Sequence, residues 1–336
     1  MRGLHRLLFG GVLFSALLFC FCADSVDGPS DDSGSDLGFE VTVHDASKAC
    51  QGTTFFVYKY TDPDIMYEVD MDGSVVWKYE LPDSIGNAQS EAEMFSHDSI
   101  LLVAQGTGIY LLDTAGTISW QHNDGNVSHD ADILSNGNIL YVFGMGDMKS
   151  DTIVKEITPA GETVWGWRAS DWFNYEPFAS IDPIAEEGWA HTNAVTRLRN
   201  GRTLISIRNF NMIVEVDTAG VPRDTILDVA YSPHDPEVVD STYLYVVHQT
   251  TTYMAAMKIN RRTKDVDWEY GFDDQGDFPV RDVNLLPNGN VLVTAATRLV
   301  EITQDKEVVW ELALTDSIAK GNGPSKGFYK AERLPE

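Results

Sequence analysis

The sequence predicts an all-β chain folded as a six-bladed β-propeller, with four antiparallel strands per blade and the C-terminal strand closing the first blade. Three observations carry this. A phrase of strand, Gly turn and Trp-bearing strand recurs along the chain, a second phrase built on Asn-Gly lies between its copies, and the two ends of the array are complementary fragments of one unit.

The first phrase runs Tyr67-Glu-Val-Asp-Met-Asp-Gly-Ser-Val-Val-Trp77, with Trp four residues after the turn Gly. It returns as Leu111 to Trp120 and as Glu156 to Trp165. Val214 to Asp224 keeps the pattern with Asp224 in place of Trp. Lys258 to Trp268 and Val300 to Trp310 complete six copies, Lys264 and Asp305 standing near the missing turn Gly. Copies lie mostly 42 to 45 residues apart, and the 59-residue step from Trp165 to Asp224 implies an insertion, Ser170 to Trp189. The Trp is expected to pack between blades, because each blade buries both faces.

The second phrase is Ala131-Asp-Ile-Leu-Ser-Asn-Gly-Asn-Ile-Leu140, matched by Val195 to Leu204 and Val283 to Leu292. Asn-Gly between apolar runs signals a tight hairpin. Each unit thus reads strand, tight turn, strand, loop, strand, Gly turn, strand: one propeller blade. The N-terminal unit, Thr53 to Glu80, lacks a first strand, and Tyr329 to Pro335 looks like a first strand without its unit. Joining them would tie the ring without a disulfide.

Composition sets the setting. Arg2 and Arg6 precede an uncharged apolar run, Leu7 to Phe21, and polar sequence starts at Asp24. This is a signal-peptide pattern over residues 1–22, its run short for a bilayer span. Cys20 and Cys22 sit where a lipoprotein carries its acylated Cys, behind residues bulkier than the usual small pair. A lipid anchor at Cys20 or Cys22 and plain secretion both stay open. Export to the periplasm or cell surface is expected either way. Residues 23–48 read as an acidic flexible tether, since Asp24 to Asp36 is rich in Ser, Asp and Gly, and the propeller spans 49–336. With Cys50 alone in the propeller, no disulfide framework is expected.

The formal charge is −27, and loss of the leader with its two Arg deepens it. Such a surface repels nucleic acid, so no nucleic-acid partner is expected. An anionic substrate would need a local cluster of cations.

Aligning the residue before each inner strand gives Ser90, His129, Asn193, His234, Arg281 and Tyr329. Two of eight His fall in this register, and His191 lies two residues before Asn193, within reach of the same face. A His before a strand is often a plain turn residue; the shared register is what argues for a common site. Arg208 follows Leu204-Ile-Ser-Ile on what reads as the second strand of the third blade, and could supply a cation.

At these residues the chain resembles the bacterial arylsulfotransferases, which move sulfuryl groups between phenols. The resemblance rests on His129-Asp130, on Gly188-Trp-Ala-His-Thr-Asn193 with Ile205-Ser-Ile-Arg208, and on His234-Asp-Pro236. It implies a six-bladed propeller and a reaction that takes an aryl sulfate donor and a phenolic acceptor, with no adenosine-phosphosulfate donor and no cofactor. His234 matches the family's catalytic nucleophile, which carries the sulfuryl group. His129, His191 and Arg208 match groups that hold the sulfuryl oxygens, and Asn193 matches a supporting polar contact. The chain departs from the family in lacking a small amino-terminal sandwich domain. Val246-Val-His-Gln-Thr250 replaces an expected Asp-Asn-Gly run, and Arg281 stands where the family can carry a hydroxyl residue. Arg281 is counted with the substrate-binding set.

The chemistry suits the residues. Neutral imidazole is a nucleophile near pH 7, with an ordinary pKa of about 6.5. It must stay unprotonated while Arg208 and His129 remain cationic or donate hydrogen bonds. An Arg fork binds two oxygens at once. The aromatics Trp172, Phe173, Tyr175, Phe178 and Trp189 of the insertion are candidates to stack on an aryl ring, or else form a small core of their own.

Other readings remain at this stage. A non-catalytic extracellular binding propeller explains fold and acidity but not the shared register. A quinone-cofactor dehydrogenase usually has a larger ring. Zinc on His129, His191 and His234 is opposed by Arg208 and Arg281, so no metal is expected. Asp70-x-Asp72-Gly73 and Asp273 to Asp277 look only partly calcium-like and read better as turns.

Overall fold

The computed structural model describes residues 37–335 except 60, 62, 86–90, 185–186, 273–278 and 316–326. The expected leader over 1–22, the tether as far as 36, Ser90 and the Asp273–Asp277 turn lie outside the described residues.

The chain opens with β1 (Phe39–His44). Blade one takes β2 (Gly52–Tyr58), β3 (Ile65–Val69) and β4 (Val75–Glu80). Blade two holds β5 (Ala92–Ser96), β6 (Ser99–Ala104), β7 (Gly108–Leu112) and β8 (Ile118–Asn123). Blade three holds β9 (Ala131–Ile133), β10 (Ile139–Val142), β11 (Val154–Ile157) and β12 (Thr163–Trp167). After helix α1 (Ser170–Phe173), blade four runs through β13 (Thr192–Arg197), β14 (Thr203–Ile207), β15 (Met212–Val216) and β16 (Pro222–Leu227). Blade five is β17 (His234–Val238), β18 (Tyr243–Gln249), β19 (Met254–Asn260) and β20 (Val266–Phe272). Blade six is β21 (Val280–Leu285), β22 (Val291–Ala295), β23 (Arg298–Ile302) and β24 (Val308–Leu314), and β25 (Phe328–Pro335) ends the chain.

The strands form six antiparallel sheets, a six-bladed β-propeller. β25 pairs antiparallel with β2, Phe56 opposite Ala331, and so supplies the missing inner strand of blade one. One boundary is corrected. Phe39–His44, placed by the sequence in the tether, is a fifth strand on blade six, paired with β24. Its alternation Phe39-Glu-Val-Thr-Val43 is a strand pattern, and Phe39 packs edge-on against Phe56, Tyr58 and Tyr67 of blade one.

The Trp repeat stitches blades in series. The indole N–H of Trp77 donates to Thr114 O of the next blade, Trp120 to Pro159 O, Trp165 to Thr218 O, Trp268 to Gln304 O and Trp310 to Met71 O. Each acceptor lies in the turn between the neighbour's third and fourth strands. That turn is built alike in several blades: Asp70, Asp113 and Asp217 each accept two backbone N–H groups, so Asp70-x-Asp72-Gly73 is a plain turn. In the sixth copy the left-handed position belongs to Lys306 (φ 67) rather than Asp305, as Lys264 (φ 68) holds it in the fifth.

A second series was not read from the sequence. Glu68, Glu156, Glu215 and Glu301 occupy one place on the third strand of their blades, buried between neighbours. Glu68 meets His97, Glu156 meets Arg197 and Glu215 meets Arg261, each one blade on. Glu301 of blade six meets Arg333 of blade one at 3.4 Å, both side chains fully buried under Trp310. A buried pair broken on one side typically costs about 3–5 kcal/mol. This last pair locks the ring where its two ends meet.

Candidate functional site

The inner strands begin around one end of the axis, and the segment from blade three to blade four sets the site's edge. Its aromatics pack on one another. Phe173 lies 4.8 Å from Phe178 and 5.0 Å from Phe210 between ring centroids, and Trp189 lies 5.1 Å from Phe210. The stacking on an aryl ring considered for Phe173, Phe178 and Trp189 gives way to a local core, and Tyr175 points to solvent. That core anchors the approach to His191.

Buried Asp147 then fixes the backbone. Its carboxylate accepts the N–H groups of Ala190 and His191, each at 3.0 Å. Gly188 has φ +80, and a Cβ there would stand 2.4 Å from Asp147 Oδ1, so no other residue fits. His191 takes φ 49, a region that typically costs a non-Gly residue about 1–3 kcal/mol. Asp147 and the 3.1 Å bond from Arg208 N to His191 O hold it there.

The imidazoles converge from three blades. His129 of blade three lies 5.0 Å from His191 of blade four and 6.2 Å from His234 of blade five, centroid to centroid. Arg208 is not on a second strand of blade three; it opens the 3-10 turn Arg208–Phe210 after β14 in blade four. Its Nη1 reaches His191 Nε2 at 3.3 Å. His191 Nδ1 sits 2.7 Å from the Glu187 carbonyl, which only accepts. The ring proton is therefore on Nδ1, and Nε2 receives Arg208. Neither nitrogen is left for a metal ion.

Ser128 orients His129. Ser128 Oγ accepts the Gly144 N–H at 2.8 Å and lies 2.8 Å from His129 Nδ1. The hydroxyl proton is available to Nδ1, an arrangement that leaves the His129 proton on Nε2 as a donor. His234 begins β17, with Nδ1 buried and without a hydrogen-bond partner among the described residues. Asn193 Nδ2 and Ser206 Oγ both donate to Pro233 O, at 2.9 and 2.8 Å. The Asn193 donor thus positions the backbone just before His234.

All three imidazoles are neutral at pH 7. Burial pushes His129 and His234 well below the ordinary value, assisted for His129 by His191 and for His234 by Arg208. His191 falls to about 4, by burial and then by Arg208. This corrects the cationic option for His129, whose imidazole is neutral.

Arg281 and Tyr329 lie on the other side of the axis, in blades six and one. Arg281 is buried, donates to Phe328 O at 3.1 Å and packs 4.8 Å from the Tyr329 ring centroid. It belongs to the same funnel, since its charge is felt at His234. Burial lowers its pKa to about 10.

One residue past the axial register, in every blade but the fourth, lies a floor of charge. Lys330 Nζ meets Glu91 at 2.7 Å, Asp235 at 2.9 Å and Asp130 at 3.6 Å. Burial, then Asp130 for Glu91 and Asp235 for Asp282, pushes the Glu91 and Asp282 carboxyls far up. Four carboxyls share one ammonium, and the protons on Glu91 and Asp282 relieve the repulsion. The cluster ties five blades directly beneath His129 and His234.

Sequence reasoning missed Asp147, Ser128, Lys59 and this floor. Only the floor left a usable trace. Asp130, Asp235, Asp282 and Lys330 each follow a residue of the axial register, a charged position repeated around the ring.

A model of the family described as Arylsulfotransferase (ASST) matches residues 40–227. No curated protein matches the chain in sequence. Among solved structures, a Bacteroides caccae protein of unknown function is similar at 15% identity and TM-score 0.57, over 84% of this chain and 98% of that one. A streptogramin B lyase is similar at 14% identity and TM-score 0.50, over 81% and 86%. An inactive virginiamycin B lyase from Staphylococcus aureus with quinupristin is similar at 11% identity and TM-score 0.50, over 83% and 90%. At these identities the three likenesses concern the fold alone.

Proposed function

The chain belongs to the arylsulfotransferase family, and from that premise we propose that it carries a sulfuryl group from an aryl sulfate to a phenol on the ring of His234. The observation that supports this reading most is the meeting of His129, His191 and His234 from three blades beside Arg208, with His129 lying 5.0 Å from His191 and 6.2 Å from His234.

In the first step a lone pair of neutral His234 attacks the donor sulfur. An N–S bond forms, the aryl S–O bond breaks, and a phenolate leaves. In the second, the acceptor oxygen attacks the same sulfur, the N–S bond breaks, and the acceptor's proton ends on the departed phenolate or on solvent. Nothing is oxidised or reduced. The transferring group carries charge on its oxygens. Arg208 and the Nε2–H of His129 are the donors placed to hold them, and one such donor typically contributes about 10²–10³ in rate. The floor carboxylates would repel an anion, and the Lys330 ammonium offsets them. The depressed imidazole pKa values keep the nucleophile free at neutral pH.

The leader-like pattern over 1–22 supports a reaction outside the cytoplasm, where an aryl sulfate donor would remove the need for a nucleotide one.

Incubation with p-nitrophenyl sulfate followed by intact-mass measurement tests the reading. One sulfuryl adduct, mapped to His234 and discharged by phenol, is expected. A folded His234→Ala protein that still exchanges sulfuryl groups would remove His234 from the mechanism. Absence of any adduct with tight aryl sulfate binding would mark a binding propeller instead.

A further inference from the structure

The family reading accounts for one anionic group, the sulfuryl, and for one side of the funnel. The opposite side carries two further cations. Lys59 follows β2 in blade one and is buried. Its backbone N–H donates to Gly327 O at 2.9 Å, as Arg208 N donates to His191 O at 3.1 Å. Gly327 lies two residues before Tyr329, as His191 lies two before Asn193. Lys59 is therefore the counterpart of Arg208 in register, three blades away, on the facing side of a six-bladed ring. Both cations come from the loop just past a second strand.

Lys59 Nζ stands 4.7 Å from the Tyr329 ring centroid, and Arg281 Cζ stands 4.8 Å from the same centroid. Two cations on one buried ring repel each other, and each is costly to desolvate. Burial and then Arg281 bring the Lys59 ammonium down to about 7, with Asp64 acting in the opposite sense. A neutral or apolar pair of residues would cost the fold less. The arrangement makes physical sense when the funnel receives a second negative charge at this side. The two cations, held over the buried Tyr329 ring, are placed to meet an anionic group projecting from the far end of the substrate.

We propose that Lys59 and Arg281, over the ring of Tyr329, form a second anion subsite that selects phenols bearing a ring carboxylate. This rests on sulfuryl transfer as the activity of the site. It assigns the facing wall of the funnel to recognition of the substrate's far end, with the sulfuryl end held by Arg208 and His129 and with His191 fixing Arg208.

The test compares 4-hydroxybenzoate with its neutral amide, 4-hydroxybenzamide, as acceptors from p-nitrophenyl sulfate. The carboxylate is expected to be favoured at least tenfold in kcat/KM, as a charge-assisted contact gives. Lys59→Met, close in size, should cut that ratio about tenfold, and Lys59→Arg should keep it. Calorimetry of both compounds with the native protein and with Lys59→Met separates this inference from its premise, since it needs no turnover. A carboxylate preference in binding without any transfer would retain the subsite and reject the transferase. Equal use and equal binding of the two acceptors, or a preference unchanged in a folded Lys59→Met protein, would overturn the subsite.

Discussion

Lys264 Nζ donates to Asp224 Oδ1 at 2.7 Å, across the boundary between blades four and five. Both residues break the sequence repeat, Asp224 standing for a Trp and Lys264 for a turn Gly. Elsewhere the Trp of one blade reaches the turn of the next. Here an ion pair spans the same gap, so two apparent defects are one compensated joint.

The exchange predicts unequal costs. The Asp224–Lys264 pair is partly exposed, and Asp224→Ala should lower unfolding stability by under about 1 kcal/mol. Trp310 is fully buried, and Trp310→Ala should cost about 3–5 kcal/mol. Denaturant titration of both variants checks the ranking, and similar losses would contradict it.

Asp147 acts on the site without entering it. In Asp147→Asn one oxygen must serve the two N–H groups of Ala190 and His191. The left-handed backbone of His191 then relaxes, and Arg208 loses its fixed partner. A fall in kcat of about tenfold or more is expected with a smaller change in KM. A raised KM at unchanged kcat would point to simple loss of binding. Melting curves report the accompanying loss of stability.

The buried imidazoles set a pH dependence. The pKa of His191 is about 4 in the folded protein against 6.5 free, so the unfolded chain binds more protons between those limits. Stability contributed by neutral His191 is fully present above pH 6.5 and is lost as pH falls toward 4, on the order of 3 kcal/mol. His129 and His234 act in the same direction. Activity should accordingly hold as pH drops through 6.5, with its acid limb well below the free imidazole value. A limb at the free imidazole value would show an exposed, unperturbed nucleophile.

Lys59 predicts the opposite trend for ligand choice. Its ammonium loses its proton above about 7. Affinity for 4-hydroxybenzoate should therefore fall between pH 7 and 9, while that for the amide stays level. Calorimetry at four pH values distinguishes the two courses.

Much of the fold was legible because it repeats. The Trp phrases and Asn-Gly hairpins state the blade six times, and the split unit at Thr53 and Tyr329 states the closure. Phe39–His44 was lost to the tether because its partner, β24, is 264 residues away at the nearer end. The register exposed His129, His234 and Arg281, since one position recurs on each inner strand. Asp147 and Lys59 escaped because they sit on loops, where no period marks the residues that turn inward.

The sequence by itself determined the number of blades, the joint that closes them, and the residue types offered to the axis. A repeated local pattern is enough for that, since alternation and turn chemistry act over a few neighbours. Only the tertiary structure decided which of those residues meet, that three imidazoles stay neutral, and that Lys59 faces Arg208 from across the ring. Those outcomes depend on desolvation and on charges brought together from distant blades, and neither exists until the ring has closed.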